Sequence, residues 1–136
     1  MIFNYKIQGG NFSNAGYASS QVKKVLKQLN IDSKLIKKIV VALYEAEVNI
    51  VAHAYSGEIK VEINSECIDI TLEDKGPGIE NIEQAMQIGY STASDEVREM
   101  GFGAGMGLNN IKNNSEKLEI KSVVDVGTTV RIINHF

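Results

Sequence analysis

The sequence predicts an α+β fold: a two-layer α/β sandwich whose mostly antiparallel, mixed sheet carries its helices on one face. Three observations predict it. Alternating apolar and polar residues recur in short stretches, two of them arranged as a hairpin on either side of Ser65-Glu66. Two neighbouring stretches repeat apolar residues every third or fourth position, as amphipathic helices do. Strands and helices do not alternate strictly, which excludes a doubly wound parallel sheet.

The elements follow in order. Ile2–Ile7 alternates and is closed by Gly9-Gly10, so it reads as a strand. From Ala15 to Leu29 the residues Tyr17, Val22, Val25, Leu26 and Leu29 fall at helical spacing. Asn30 and Ile31 break that helix, and Asp32 is a credible N-cap for a longer one. Its apolar stripe runs through Leu35, Ile36, Ile39, Val40, Leu43 and Ile50, and Ser56-Gly57 is expected to end it. Strands are expected over Glu58–Asn64 and Cys67–Asp74, followed by a short helix from Asn81 to about Gln87. The polar stretch "GYSTASDEVREMGFGAG" has little periodicity, and a helix is expected from near Met106 to about Glu116. Two last strands, "LEIKSVV" and "TTVRIIN", are joined by Asp125–Gly127.

With 136 residues, 43% apolar and 23% charged, the chain reads as one domain, 1–136, with a real core. Tryptophan is absent and proline occurs once, which sets aside disordered and collagen-like classes. The net charge is −3 and the lysines read as scattered rather than massed, so no basic face for direct nucleic-acid binding is expected. No apolar run is long enough to span a membrane, and the N-terminus lacks the regions of a signal peptide. The single cysteine, Cys67, reads as a small core or sheet residue. A cytoplasmic domain is expected.

The chemistry-bearing stretches are four. "GFGAGMGLNN", Gly101 to Asn110, exposes backbone N–H groups at the start of a helix, where the dipole favours an anion such as a phosphate. It is not a P-loop, because no lysine follows until Lys112, and it lacks the dinucleotide fingerprint's strand and spacing. The other reading of these glycines is a flexible hinge or a helix start without a ligand. On the long helix Glu45 and Asn49 project from one face, continued by His53. They suit a proton acceptor and an amide oxygen for Mg²⁺, or simply a solvated face. Asp74 opens "DKGPGI", where Gly76 and Gly78 flank Pro77 in a rigid turn. An ionised carboxylate there suits an exocyclic amino group, or decorates a turn. "GTT", Gly127–Thr129, is hairpin chemistry whose hydroxyl is able to help Asp74 hold a base.

Taken in order, Glu45-x-x-x-Asn49, Asp74-x-Gly76-x-Gly78, the Gly101–Gly107 run and Gly127-Thr128 resemble a known superfamily. It is the GHKL superfamily of ATP-binding domains, shared by DNA gyrase, a class of heat-shock chaperones, histidine kinases and mismatch-repair MutL proteins. "YEAEVNIVAHAY" followed by "ITLEDKGPGI" is most similar to the stand-alone bacterial anti-sigma factor and switch-protein serine kinases. The resemblance spans nearly the whole chain.

It implies the Bergerat ATP-binding fold, with ATP or ADP between the helices and the glycine-rich segment as a lid. Position by position, it implies Glu45 as catalytic base and Asn49 as the Mg²⁺ ligand. Asp74 would accept from the adenine amino group, Gly76 and Gly78 would let backbone approach the base, and Thr128 would support it. Gly103, Gly105 and Gly107 would cradle phosphates. The implied activity is Mg-ATP-dependent phosphorylation of a serine or threonine on a small antagonist protein, which asks mainly for positioning and charge neutralisation. Implied partners are that antagonist, a sigma factor or a phosphatase, and a homodimer is compatible. The chain leaves no room for a sensor kinase's dimerisation helices, so His53 is expected to be a packed or pocket-rim residue, not a phosphoacceptor. A nucleotide-dependent binding switch without kinase activity is the alternative; a domain that kept the fold and lost its ligand is a third reading. Two departures stand out: Glu47 is expected to add negative charge near the phosphates, and the lid Tyr90–Met100 is acidic with Arg98 as its one obvious cation.

Overall fold

The computed structural model describes residues 1–86 and 107–136. The elements are β1 (Ile2–Gln8), α1 (Tyr17–Gln28), α2 (Ser33–His53), β2 (Ser56–Ile63), β3 (Cys67–Lys75), α3 (Ile82–Ala85), α4 (Gly107–Asn113), β4 (Lys117–Val123) and β5 (Gly127–His135). The strands form a five-stranded sheet in the order β1-β2-β3-β5-β4. All four pairings are antiparallel, so the sheet lacks the mixed character expected of it.

Pleating sends alternate residues of each strand to opposite faces, and the burial follows that alternation. Ile59, Val61 and Ile63 on β2 stand opposite Leu72, Ile70 and Ile68 on β3, and all are buried. Ile132 on β5 continues the row beside Ile70. Leu26 of α1 and Ile39 and Leu43 of α2 close over this face and complete one core. The other face is a lattice of exposed charges. Arg131 forks onto Asp69 at 2.7 and 3.1 Å, and Lys60 meets Glu62 at 2.8 Å. Such exposed pairs add at most about 1 kcal/mol each.

Three local expectations differ. Ser56-Gly57 begins β2 rather than ending α2, which stops at His53 with Ala54 already extended. A Cβ on Gly57 would lie 2.8 Å from Ile50 Cγ2, so this glycine lets α2 sit close on the strand. Asp32 holds the N-cap position of α2 without a side-chain capping bond. The lysines are not scattered: Lys23, Lys24 and Lys27 of α1 and Lys34, Lys37 and Lys38 of α2 all lie exposed on one helical hairpin.

Candidate functional site

The first cluster forms where β3 runs out. Asp74 sits on the helix-facing side of the sheet, opposite Gly57, and its Oδ1 accepts the Thr128 N–H at 3.1 Å. Burial pushes its carboxyl above the usual range, and the Thr128 N–H pulls it part of the way back. The turn after it is stitched to the β4–β5 hairpin. Gly76 N–H donates to Val126 O (3.1 Å), Asp125 N–H to Pro77 O (2.9 Å) and Ile79 N–H to Ser122 Oγ (2.7 Å). Gly78 has φ +75°, and a Cβ there would meet Val123 O at 2.5 Å. Gly76 lies under Ala54 at the end of α2, where a Cβ would come within 3.0 Å of the Ala54 Cα. A side chain on Gly127 would strike the Asp74 carbonyl. These glycines therefore allow three backbone segments to converge on Asp74.

The second cluster lies further back along α2. Residues four apart on a helix stack on one face, and Glu45 and Asn49 both face α4. A Cβ on Gly107 would lie 3.1 Å from Asn49 Oδ1 and 3.5 Å from Glu45 Oε2. Asn110, one turn on, donates its amide to Glu45 Oε1 at 3.2 Å. One carboxylate oxygen is thereby held while the other faces the start of α4. From Glu45 to Ala54 is about 13 Å along the helix axis. Ala54, at the end of α2, lies over Gly76 of the first cluster, so α2 runs from one cluster to the other. Burial holds His53 below the usual imidazole range, in keeping with a packed residue.

Glu47 is a correction. It lies two residues from Glu45, about 200° around the helix, and so faces away from that cluster. Its carboxylate is fully buried at the start of α1. Oε2 accepts Gly16 N–H (3.0 Å) and Ala18 N–H (3.2 Å); Oε1 accepts Ser19 N–H (3.1 Å) and the Ser19 hydroxyl (2.6 Å). Glu47 caps α1 from another helix, and its charge is spent on donors that the helix start leaves unpaired. It adds no negative charge beside the second cluster.

The structure therefore brings Glu45, Asn49 and Gly107 together at one end, and Asp74, Gly76, Gly78 and Thr128 at the other. Gly103, Gly105, Arg98 and the rest of the expected lid lie outside the described residues. Sequence reasoning missed Asn110 and Ser122, for which no spacing rule gives a signal. Among the described residues no three His, Cys, Asp or Glu side chains cluster as a metal cage. A single amide oxygen, Asn49 Oδ1, fits a Mg²⁺ ion that keeps most of its ligands as water and phosphate.

Comparison with known proteins gives a consistent result. The family model for the histidine kinase-like ATPase domain matches residues 13–134. The anti-sigma F factor of Thermoanaerobacter sp. is 33% identical over 127 residues, covering 90% of this chain and 85% of the relative. That of Caldanaerobacter subterraneus is 34% identical over 127 residues with the same coverages. Among solved structures, the SiaB–SiaC complex from Pseudomonas aeruginosa contains a chain with TM-score 0.66 at 11% identity, covering 97% of this chain and 88% of that one. The RsbU and RsbW domains of a Mycobacterium tuberculosis protein give TM-score 0.67 at 16% identity, covering 98% of this chain and 32% of that longer one.

Proposed function

The chain belongs to the histidine kinase-like ATPase domain family, and from that premise we propose that it is an ATP-dependent switch of the anti-sigma type. In this reading it is a protein serine/threonine kinase that phosphorylates a small antagonist protein. The observation that carries the reading is the pairing of Glu45 and Asn49 against Gly107, with the Asp74–Thr128 cluster at the far end of the same helix. The names of the relatives, anti-sigma F factors that match along 90% of the chain, support the same role.

Each residue then has a task. Asp74 accepts from the base amino group beside Thr128, while Gly76 and Gly78 give the base room. Asn49 would hold Mg²⁺, which when bound neutralises phosphate charge. Gly103, Gly105 and Gly107 would cradle the phosphates. Glu45, steadied through Oε1 by Asn110, offers Oε2 to take the proton of the acceptor hydroxyl. No helix of the described residues is long and apolar enough to cross a membrane, and a cytoplasmic switch that forms homodimers and binds a sigma factor or phosphatase completes the proposal.

The test uses ATP labelled on its γ-phosphate, with extract of the source cells as the supply of antagonist. Wild type is expected to label a small protein on serine or threonine. Glu45→Gln is expected to label none while keeping its ADP affinity within about threefold, since only the proton acceptor is lost. Equal labelling by that variant would remove Glu45 from the chemistry. Mg²⁺-dependent binding with no labelled protein would leave a switch and refute the kinase.

A further inference from the structure

The lysines of the α1–α2 hairpin carry none of the roles above. Six lysines against one acid, Asp32, give residues 17–38 a net charge of +5 in a chain whose total is −3, so the remaining residues carry −8. All six are exposed. On the outer face of the sheet Lys60, Lys117 and Arg131 each meet a carboxylate. No acid among the described residues pairs with any of the six. Because α2 is one continuous helix from Ser33 to His53, its faces can be followed from end to end. With a turn of roughly 100° per residue, Lys34, Lys38, Glu45 and Asn49 fall on one stripe, and Glu45 lies about 10 Å along the axis from Lys38. Half-buried Val41 lies between them. The stripe that begins in unpaired positive charge therefore ends at the carboxylate assigned to take the acceptor's proton.

We propose that this lysine face docks an acidic surface of the phosphoacceptor protein, with Lys34 and Lys38 leading its hydroxyl along α2 to Glu45. The inference rests on the kinase reading above. An acceptor hydroxyl must be held beside Glu45 for transfer, and Glu45 and Asn110 touch only its immediate surroundings. Grip on the rest of the acceptor has to come from further off. The lysines offer it on the same helix face, and complementary charge both speeds encounter and fixes register. The remaining −8 turns the same acidic partner away from other approaches.

The composition of the hairpin favours a protein over other polyanions. A membrane surface asks for apolar side chains set among the lysines, and here Val22, Leu26, Ile36 and Ile39 are buried in the core. Nucleic acid is held by arginine forks and aromatic stacking as well as by lysine, and residues 18–38 contain neither arginine nor an aromatic residue. The patch is also short. Lys23 to Lys27 and Lys34 to Lys38 each rise only about 6 Å along their helices, so a longer polyanion would run on past the acids of the rest of the chain. A compact cluster of carboxylates meets the lysines and ends with them.

The test takes the protein that wild type labels from γ-labelled ATP, purifies it, and uses it as substrate for three double variants. Lys34→Glu with Lys38→Glu reverses the stripe; both positions are exposed and near the start of α2, where glutamate is well tolerated. Its KM for the acceptor should rise by about tenfold while kcat and ADP affinity hold within about twofold, as expected when docking alone is lost. Lys34→Arg with Lys38→Arg keeps the charge and should keep the wild-type KM. Lys6→Glu with Lys117→Glu makes the same charge change on the outer face of the sheet and should leave KM within about twofold. Added salt should raise the wild-type KM more than that of the reversed stripe. A reversed stripe with unchanged KM, or with a fallen kcat instead, refutes the docking and leaves the kinase intact, as does an equal rise in the sheet-face variant. Lysine-dependent binding to phosphatidylserine vesicles or duplex DNA at about 0.15 M salt would give the face to a membrane or nucleic acid and overturn the inference. Wild type that labels no protein refutes the kinase and the docking together.

Discussion

Replacing Glu47 by Gln tests whether a charge two residues from Glu45 serves the fold rather than the nucleotide. Gln has the same shape but one oxygen fewer. If its amide nitrogen takes the Oε2 position, the N–H groups of Gly16 and Ala18 are stranded. If it takes the Oε1 position, the Ser19 hydroxyl is able to turn and accept, and only the Ser19 N–H is stranded. The second arrangement costs less. A stranded buried donor costs about 1–3 kcal/mol, and the bonds that remain fall from charged to neutral strength. Relief of the buried charge offsets part of this, leaving a net loss of about 2–4 kcal/mol. With a urea dependence of about 2 kcal/mol per molar, the midpoint should drop by about 1–2 M. Ser19→Ala should cost about 1 kcal/mol, and the double variant should be less destabilised than the sum, because the two share one bond. ADP affinity, measured where Glu47→Gln is still folded, should be unchanged. A midpoint shift under about 0.3 M would refute the capping argument. Lost ADP binding in a folded variant would return Glu47 to the phosphate side.

Other substitutions probe the site itself. Asp74→Asn keeps an oxygen for the Thr128 N–H but loses the charge, so ADP affinity should fall by about 10- to 100-fold in calorimetry. The raised folded pKa of Asp74 means the native chain keeps a proton the unfolded chain has released. Its contribution to stability is therefore present at low pH and lost as pH rises through the raised value. Asp74→Asn without nucleotide should accordingly melt no lower than wild type at pH 7; a clear drop would mean that the ionised carboxylate supports the fold. For the same reason ADP binding should weaken on acidification at a higher pH than an ordinary aspartate would dictate. Gly78→Ala forces a side chain into a left-handed backbone and against Val123 O, at a cost of at least about 2 kcal/mol by thermal unfolding. Gly107→Ala meets the movable ends of Asn49 and Glu45 instead, so the melting point should hold while the Mg²⁺-dependent part of ATP affinity falls.

Much of this was legible in the sequence because each element states its own period. The alternation of β2 and β3 and the stripe of α2 placed the helices over one sheet face, and the order of the motifs picked out both clusters. What stayed hidden depends on distance along the chain. Glu47 reads as one more acid on α2 until α1 arrives, 28 residues away from its Ser19 partner. Ser122 is an ordinary strand serine whose partner Ile79 lies 43 residues earlier, and Asn110 reaches Glu45 across 65. Gly57 looked like a helix stop because glycine is common there; its use, letting Ile50 approach, belongs to packing. The lysines of α1 and α2 read as scattered because the break at Asn30 separates them in sequence and joins them in space.

The sheet order has a consequence for how the chain must come into being. β5 follows β4 in the chain, yet it lies between β3 and β4. Until Gly127–His135 has emerged from the ribosome, β3 keeps an open edge, and Ile68, Ile70 and Leu72 lack their neighbours Asn134, Ile132 and Val130. Such an unpaired apolar edge invites pairing with other chains. The same strand brings Thr128 to Asp74, so a chain arrested before it is adhesive and, on the proposed function, lacks half of its base-binding cluster. On the proposed function, nucleotide that binds only the paired sheet would favour chains in which β5 has docked over those in which it has not.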